Sequence, residues 1–119
     1  MKNSTVISHA AIILADIPYI DYHPHQHYGL HYYVIVSNPM ACKHAPVVQA
    51  IPMSSNTSRR LPVQIEVHAE CFPKRTYALA EQLTLLPRDI LEQGKYCGQL
   101  EAESMTRLAK AIKLQLSLD

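Results

Sequence analysis

The sequence has no tryptophan, a single phenylalanine and only three glycines in 119 residues. It lacks any apolar run near the roughly 20 residues that a membrane-spanning helix needs. No internal repeat and no low-complexity tract interrupts it. Its three cysteines, Cys42, Cys71 and Cys97, are odd in number, scattered and without a CxxC spacing. Their expected state is buried free thiol in a reducing cytoplasm. Charge of one sign is missing too. The formal net charge is +1, so no global field marks a nucleic-acid binder and any such site has to be local.

What is present fits one globular domain. Hydrophobic residues make up 48% and charged residues 18%, and this length buries a core without metal or disulfide staples. Val6–Leu14 is apolar and follows Lys2, but Ser8 and His9 interrupt it. It is too short to span a bilayer and lacks the longer clean run and small-residue cleavage site of a secretory signal. Residues 1–14 are therefore expected as a lead-in packed on a domain spanning 15–119, in a cytoplasmic protein without a membrane partner.

The chain centres on residues 15–38. Ile17–Tyr22 reads as a strand, with Pro18 at its start or on an edge. A loop carrying His23, His25 and His27 ends at Gly29, and Leu30–Ser37 is β-branched, aromatic and near-continuously apolar, as a central strand would be. Asn38–Pro46 is a connection with room for a helical turn, and Val47–Ile51 is a third strand. Met53–Pro62 is a polar surface loop carrying Arg59 and Arg60. Val63–Ala69 alternates as a half-buried antiparallel strand. Tyr77–Leu86 is expected as a strand followed by a helical turn over Pro87–Glu92, and Gly94–Leu100 as the last strand. From Glu101, the spacing of Met105, Leu108, Ala109, Ile112 and Leu116 predicts an amphipathic helix with a poorly capped start. Five or six short strands and one terminal helix predict a strongly bent antiparallel sheet, closed as a barrel with the helix laid against it.

Four stretches, in order, resemble the PemK/MazF family of toxins from bacterial type II toxin–antitoxin modules. ADIPYIDYHP (15–24) is similar to that family's opening strand, and GLHYYVIVSN (29–38) to its G-x-RP strand. VVQAIPMS (47–54) is similar to its strand ending in TS, and LAEQLTLLPRDIL (79–91) to its acidic-Gln segment. The closing GQLEAESMTRLAKAIKLQLSL resembles the family's last strand and helix. The resemblance implies a mainly β fold, a small SH3-like (PemK/CcdB-like) barrel with a C-terminal helix. It also implies a homodimer, a cognate antitoxin that blocks the site, and cofactor-free, metal-independent cleavage of single-stranded mRNA. In that chemistry the substrate's 2′-hydroxyl attacks the adjacent phosphate and leaves a cyclic phosphate. The step needs a base, an acid, and a donor or cation for the developing charge.

Against the family pattern, the RP dipeptide is His31-Tyr32, and the catalytic Thr or Ser falls on Pro52, which has neither a hydroxyl nor an N–H. His31 is titratable where arginine would be a fixed cation. With His25 or His27 it could form an acid–base pair; the alternative is a strand histidine filling a decayed site. Glu81 either orients His31 or supports the neighbouring loop through a structural hydrogen bond, and Gln82 matches the family beside it. Arg59, Arg60, Ser54, Ser55 and Asn56 could clamp an RNA backbone or form a solvated loop. Tyr28, with Tyr19, Tyr22, Tyr32 and Tyr33, could stack bases or pack. A zinc site at His23, His25 and His27 lacks a cysteine or acidic ligand beside it. The expected function is a toxin-like endoribonuclease whose site is rebuilt or lost. The alternatives are a non-catalytic nucleic-acid- or protein-binding module on the same barrel and, more weakly, a metal-dependent nuclease.

Overall fold

The computed structural model describes residues 5–18, 29–55 and 61–118. The elements run β1 (Ala11–Ile17), β2 (Gly29–Ile35), α1 (Pro39–His44), β3 (Val47–Ser54), β4 (Gln64–Val67), β5 (Thr76–Leu79), β6 (Thr84–Pro87), α2 (Arg88–Glu92), β7 (Lys95–Gln99) and α3 (Ala102–Gln115), with a 3₁₀ turn at Ala80–Gln82. All pairings are antiparallel, in the order β4-β5-β3-β2-β1-β7, and β6 also pairs with β3. The mainly β class and the C-terminal helix are as expected. The sheet curls without closing: β4 and β7 remain its two ends among the described residues.

The first strand lies earlier than the sequence suggested. Ala11–Leu14, expected in the lead-in, belong to β1, and residues 19–22 of the expected strand lie outside the described residues. Ala10, at φ 70°, turns the chain into the strand, and its carbonyl accepts from Leu100 N at 2.9 Å. Since β1 lies between β2 and β7 with apolar residues against both faces, its sequence AIILADI shows a run rather than an alternation. The two faces feed two clusters. Ile13, Ala15, Tyr33, Ile35 and Leu91 fill one; Ile12, Val34, Ile51, Met53 and Leu108 fill the other, under α3.

Strand β3 continues past Ile51 to Ser54, straight through Pro52. Val36 N donates to Gln49 O at 3.0 Å. Antiparallel ladders alternate, so Val34 and Ile51 exchange bonds while Tyr33 and Pro52 face each other without them. The Pro52 nitrogen therefore points away from β2. On that other side the β6 ladder has ended at Ala50 and the β5 ladder begins at Met53. A proline fits there because no ladder bond is asked of it. The same gap explains why Tyr77–Leu86, expected as one strand, is two. Both halves follow β3, and the 3₁₀ turn takes up the slack opposite Ile51 and Pro52.

Helix α3 begins after Glu101, which makes no side-chain cap, as its sequence suggested. Its buried stripe is Ser104, Leu108 and Ala111, whereas Ala109 and Leu116, expected on that stripe, are exposed. Ser104 is tolerated in the core because its Oγ accepts from His68 N at 3.0 Å. Arg88, at the start of α2, ties two short helices together: its guanidinium donates to the carbonyls of Ala41, Cys42 and Ala45 at the end of α1. Of the cysteines expected to be buried, Cys42 is; Cys71 and Cys97 are half-buried.

Candidate functional site

Strand β2 opens at Gly29, whose φ of 84° is readily reached only without a Cβ. Leu30 follows at 64% exposure, then His31 and Tyr32, both half-buried. The β2–β3 ladder stops at Tyr33–Pro52. Beyond it the two strands diverge, because β3 turns to pair Met53 and Ser54 with Ala78 and Tyr77 of β5. A cleft of about 280 Å³ opens where they part. Leu14, Leu30, Tyr32 and Met53 give it an apolar floor. His31, Ser54 and Ser55 add polar groups, Pro73 and Lys74 come from the connection into β5, and Thr76 from the start of that strand.

Strand alternation puts His31 on the same face as Tyr33, and their rings meet edge-on at 6.5 Å. The imidazole leans back along the strand, with Nε2 4.0 Å from where a Cβ on Gly29 would stand. On β3, Pro52 and Ser54 share that face. Pro52 is fully buried opposite Tyr33. Past that pair Ser54 stands opposite Tyr77 of β5, and it meets His31 only as a fellow lining residue of the cleft. The only lysine or arginine lining the cleft among the described residues is Lys74, whose carbonyl accepts from Thr76 Oγ1 at 2.9 Å. Tyr32 packs edge-on against Phe72, centroids 5.6 Å apart. Burial first, then the nearby Cys97 and Cys71, push its hydroxyl pKa up, so it remains a neutral donor at physiological pH.

Of the residues singled out from the sequence, the structure brings His31, Ser54 and Ser55 together at one cleft. Glu81 does not join them. It sits in the 3₁₀ turn with Gln82, where its Oε2 accepts from Gln64 Nε2 at 2.5 Å, while Gln64 Oε1 accepts from Leu61 N at 2.9 Å. That chain anchors the segment just after Arg59 and Arg60, which is the loop-supporting role weighed for Glu81. Its other oxygen is buried with no partner among the described residues. His23, His25, His27, Tyr19, Tyr22, Tyr28, Asn56, Arg59 and Arg60 lie outside the described residues. Among the described residues no cluster of three histidine, cysteine or acidic side chains could hold a metal. Also among them, no helix is long and apolar enough to cross a membrane.

Sequence reasoning missed Lys74, Pro73 and Thr76. Pro73 and Lys74 belong to a turn-rich stretch, CFPKR, with no periodicity, Thr76 opens β5, and the pairing of β5 with the end of β3 carries all three to the cleft.

The family described as PemK-like, MazF-like toxin of type II toxin–antitoxin system matches residues 9–116. Among solved structures, the chain is similar to an endoribonuclease in complex with its cognate antitoxin from a mycobacterial species. The two share 23% identity, 94% of this chain and 96% of that one are covered, and the TM-score is 0.75. MazF from Deinococcus radiodurans is similar at 14% identity, 96% and 99% coverage and a TM-score of 0.79. The Mycobacterium tuberculosis toxin MazF-mt6 is similar at 22%, 92%, 98% and 0.73. At these identities the structural likeness establishes the fold. No curated protein matches the sequence.

Proposed function

The chain belongs to the PemK-like, MazF-like toxin family of type II toxin–antitoxin systems, and from that membership we propose that it is an endoribonuclease cutting single-stranded mRNA at the His31 cleft. The observation that supports this reading is the cleft opened where β2 and β3 part, which His31, Ser54 and Lys74 line together. Pro52 is buried whereas Ser54 lines the cleft, which favours Ser54 as the hydroxyl of the site.

The chemistry needs no bound cofactor. The substrate's 2′-hydroxyl attacks the neighbouring phosphorus and the 5′-oxygen leaves, giving a cyclic phosphate. His31 exchanges the proton with the attacking or leaving oxygen, the role that histidine fills in acid–base catalysis. The Ser54 hydroxyl donates to a non-bridging oxygen as charge builds there. Lys74 offers a fixed cation to the backbone, and Tyr32, Leu30 and Met53 give an apolar bed for an unstacked base. His25, His27, Arg59, Arg60, Asn56, Tyr28 and Gln82 are further proposed contributors to RNA binding or cleavage. The protein acts as a cytoplasmic homodimer, and a cognate antitoxin silences it by covering the cleft, as the mycobacterial neighbour's complex with its antitoxin suggests.

The test is cleavage of a long unstructured RNA by purified protein in chelator. Wild type should cut and leave cyclic phosphate ends, and His31→Ala should lose about 10²–10⁴-fold in rate, the range for a general acid or base. Ser54→Ala should lose about 10²-fold, as for one transition-state donor. Full activity in His31→Ala overturns the assignment. RNA bound but not cut by wild type supports the binding module instead.

A further inference from the structure

A second feature of the sheet lies beside the His31 cleft, at a separate small cleft. Strand β7 is bulged where it meets β1: Ile12 pairs with Gly98 and Ile13 with Tyr96, leaving Cys97 as the extra residue. A bulge re-aims the side chain it displaces. Gly98 permits it with φ 145°, and a Cβ there would meet nothing within 4 Å, so the backbone conformation rather than crowding asks for glycine. Cys97 lies in the same apolar cluster as Cys71, Phe72 and Tyr32. Both cysteines are free and half-buried, and both line one small cleft of about 310 Å³. Cys71 stands on the connection from β4 to β5, just ahead of the Pro73 and Lys74 that wall the His31 cleft.

We propose that Cys71 and Cys97 are a redox-active dithiol, closed by a peroxide into an intramolecular disulfide that fastens the β4–β5 connection to β7. Burial, and after it the neighbouring Cys97, push the Cys71 thiol up. Cys97, the residue displaced from the ladder by the bulge, makes the first attack, and the raised Cys71 thiol resolves it. The Cys97 thiolate attacks one peroxide oxygen; the O–O bond breaks, hydroxide leaves and takes a proton to become water, and Cys97 becomes a sulfenic acid. Cys71 sulfur then attacks the Cys97 sulfur, the S–O bond breaks, and a second water departs with the Cys71 proton. Two thiols lose two electrons in all and the peroxide gains them. A dithiol reductant reverses the bond by exchange. In a reducing compartment such a disulfide is transient, as befits a sensor rather than a staple. Because Phe72 adjoins Cys71 and packs on Tyr32, the bond fixes one wall of the neighbouring cleft. The proposal stands whether or not that cleft cuts RNA.

The full-length reduced protein, treated with a small excess of hydrogen peroxide, tests it. Intact mass should fall by about 2 Da, and the reactive thiols should drop from three to one. Trypsin without reductant should yield peptides 61–74 and 96–107 joined, and dithiothreitol should separate them. Cys42→Ser should leave the link intact, and Cys71→Ser or Cys97→Ser should abolish it. Mass gains in steps of about 16 Da without a link overturn the proposal, because they mark cysteines oxidised singly. A link through Cys42 or between two chains overturns it as well. The wild-type digest decides even if a serine variant fails to fold.

Discussion

Strand β2 changes character halfway along. Tyr33, Val34 and Ile35 are buried, whereas Gly29–Tyr32 are half-buried or exposed. Composition does not distinguish the halves; partners do. Tyr33–Ile35 are flanked by β1 and β3, but beyond Tyr33 strand β3 leaves for β5 and, among the described residues, only β1 remains alongside. Where a flanking strand departs, side chains on one uninterrupted apolar strand become the floor and rim of a cleft. One half of β2 holds the fold together and the other half borders the cleft.

Two substitutions separate those halves. His31→Ala should cost about 10²–10⁴ in cleavage rate while changing stability by less than about 0.5 kcal/mol, as a half-exposed position would. Ile35→Ala, two turns of the pleat away, should do the reverse. Ile35 is wholly buried, so truncation leaves a cavity and should lower unfolding free energy by about 2–5 kcal/mol. Cleavage per folded molecule should persist. Denaturant titration paired with RNA kinetics reads both. A variant that moved both quantities equally would erase the distinction.

A next smaller effect lies at the core-side end of the sheet. Arg88 donates to three carbonyls at the C-terminus of α1, at 2.7 Å to Ala45 and 3.2 Å to Ala41, and stands 3.8 Å from Glu92. Those carbonyls are the groups that a helix end leaves without partners. Arg88→Met keeps the aliphatic stem and removes the donors, and should cost about 3 kcal/mol, the upper range for bonds from a charged group. RNA cleavage should be unaffected.

Much of this architecture was legible in the chain. The clean alternation of Val63–Val67, the β-branched run after Gly29 and the apolar spacing of Met105, Leu108 and Ile112 each mark an element through local periodicity. What escaped was set by long-range pairing. β1 sandwiched between two strands has no alternation to read, so its start at Ala11 was hidden behind Ser8 and His9. The break within Tyr77–Leu86 arises from a gap opposite Pro52 that exists only once β3 has paired with both β5 and β6. His31 was legible because it falls within a recognisable strand. Ser54 beside the same cleft was not, since the turn of β3 from β2 to β5 decides which residue of VVQAIPMSS reaches it. Lys74 had no sequence signal at all.

The smallest effect concerns the residue at the boundary between the two halves. Tyr33 is buried beside His31, and its hydroxyl has no hydrogen-bond partner among the described residues. Burial first, then the Asp16 carboxylate, push its pKa up to about 12. In the unfolded chain the phenol ionises near its ordinary value of about 10. Between those values the unfolded state has lost the proton and the folded state keeps it. This contribution to stability is therefore whole below pH 10 and falls away as pH rises towards about 12, by roughly 2–3 kcal/mol for a shift of two units. Tyr33→Phe keeps the ring and removes the ionisable group, so the variant's stability should stay flat over that window apart from the other tyrosines and lysines. At neutral pH it should equal or exceed wild type by about 1 kcal/mol, because an unsatisfied buried hydroxyl is costly. Urea titrations of both proteins from pH 8 to the alkaline limit supply the measurement. A variant less stable at neutral pH would mean the hydroxyl has a partner in the folded protein and that the boundary residue belongs, with His31, to the cleft.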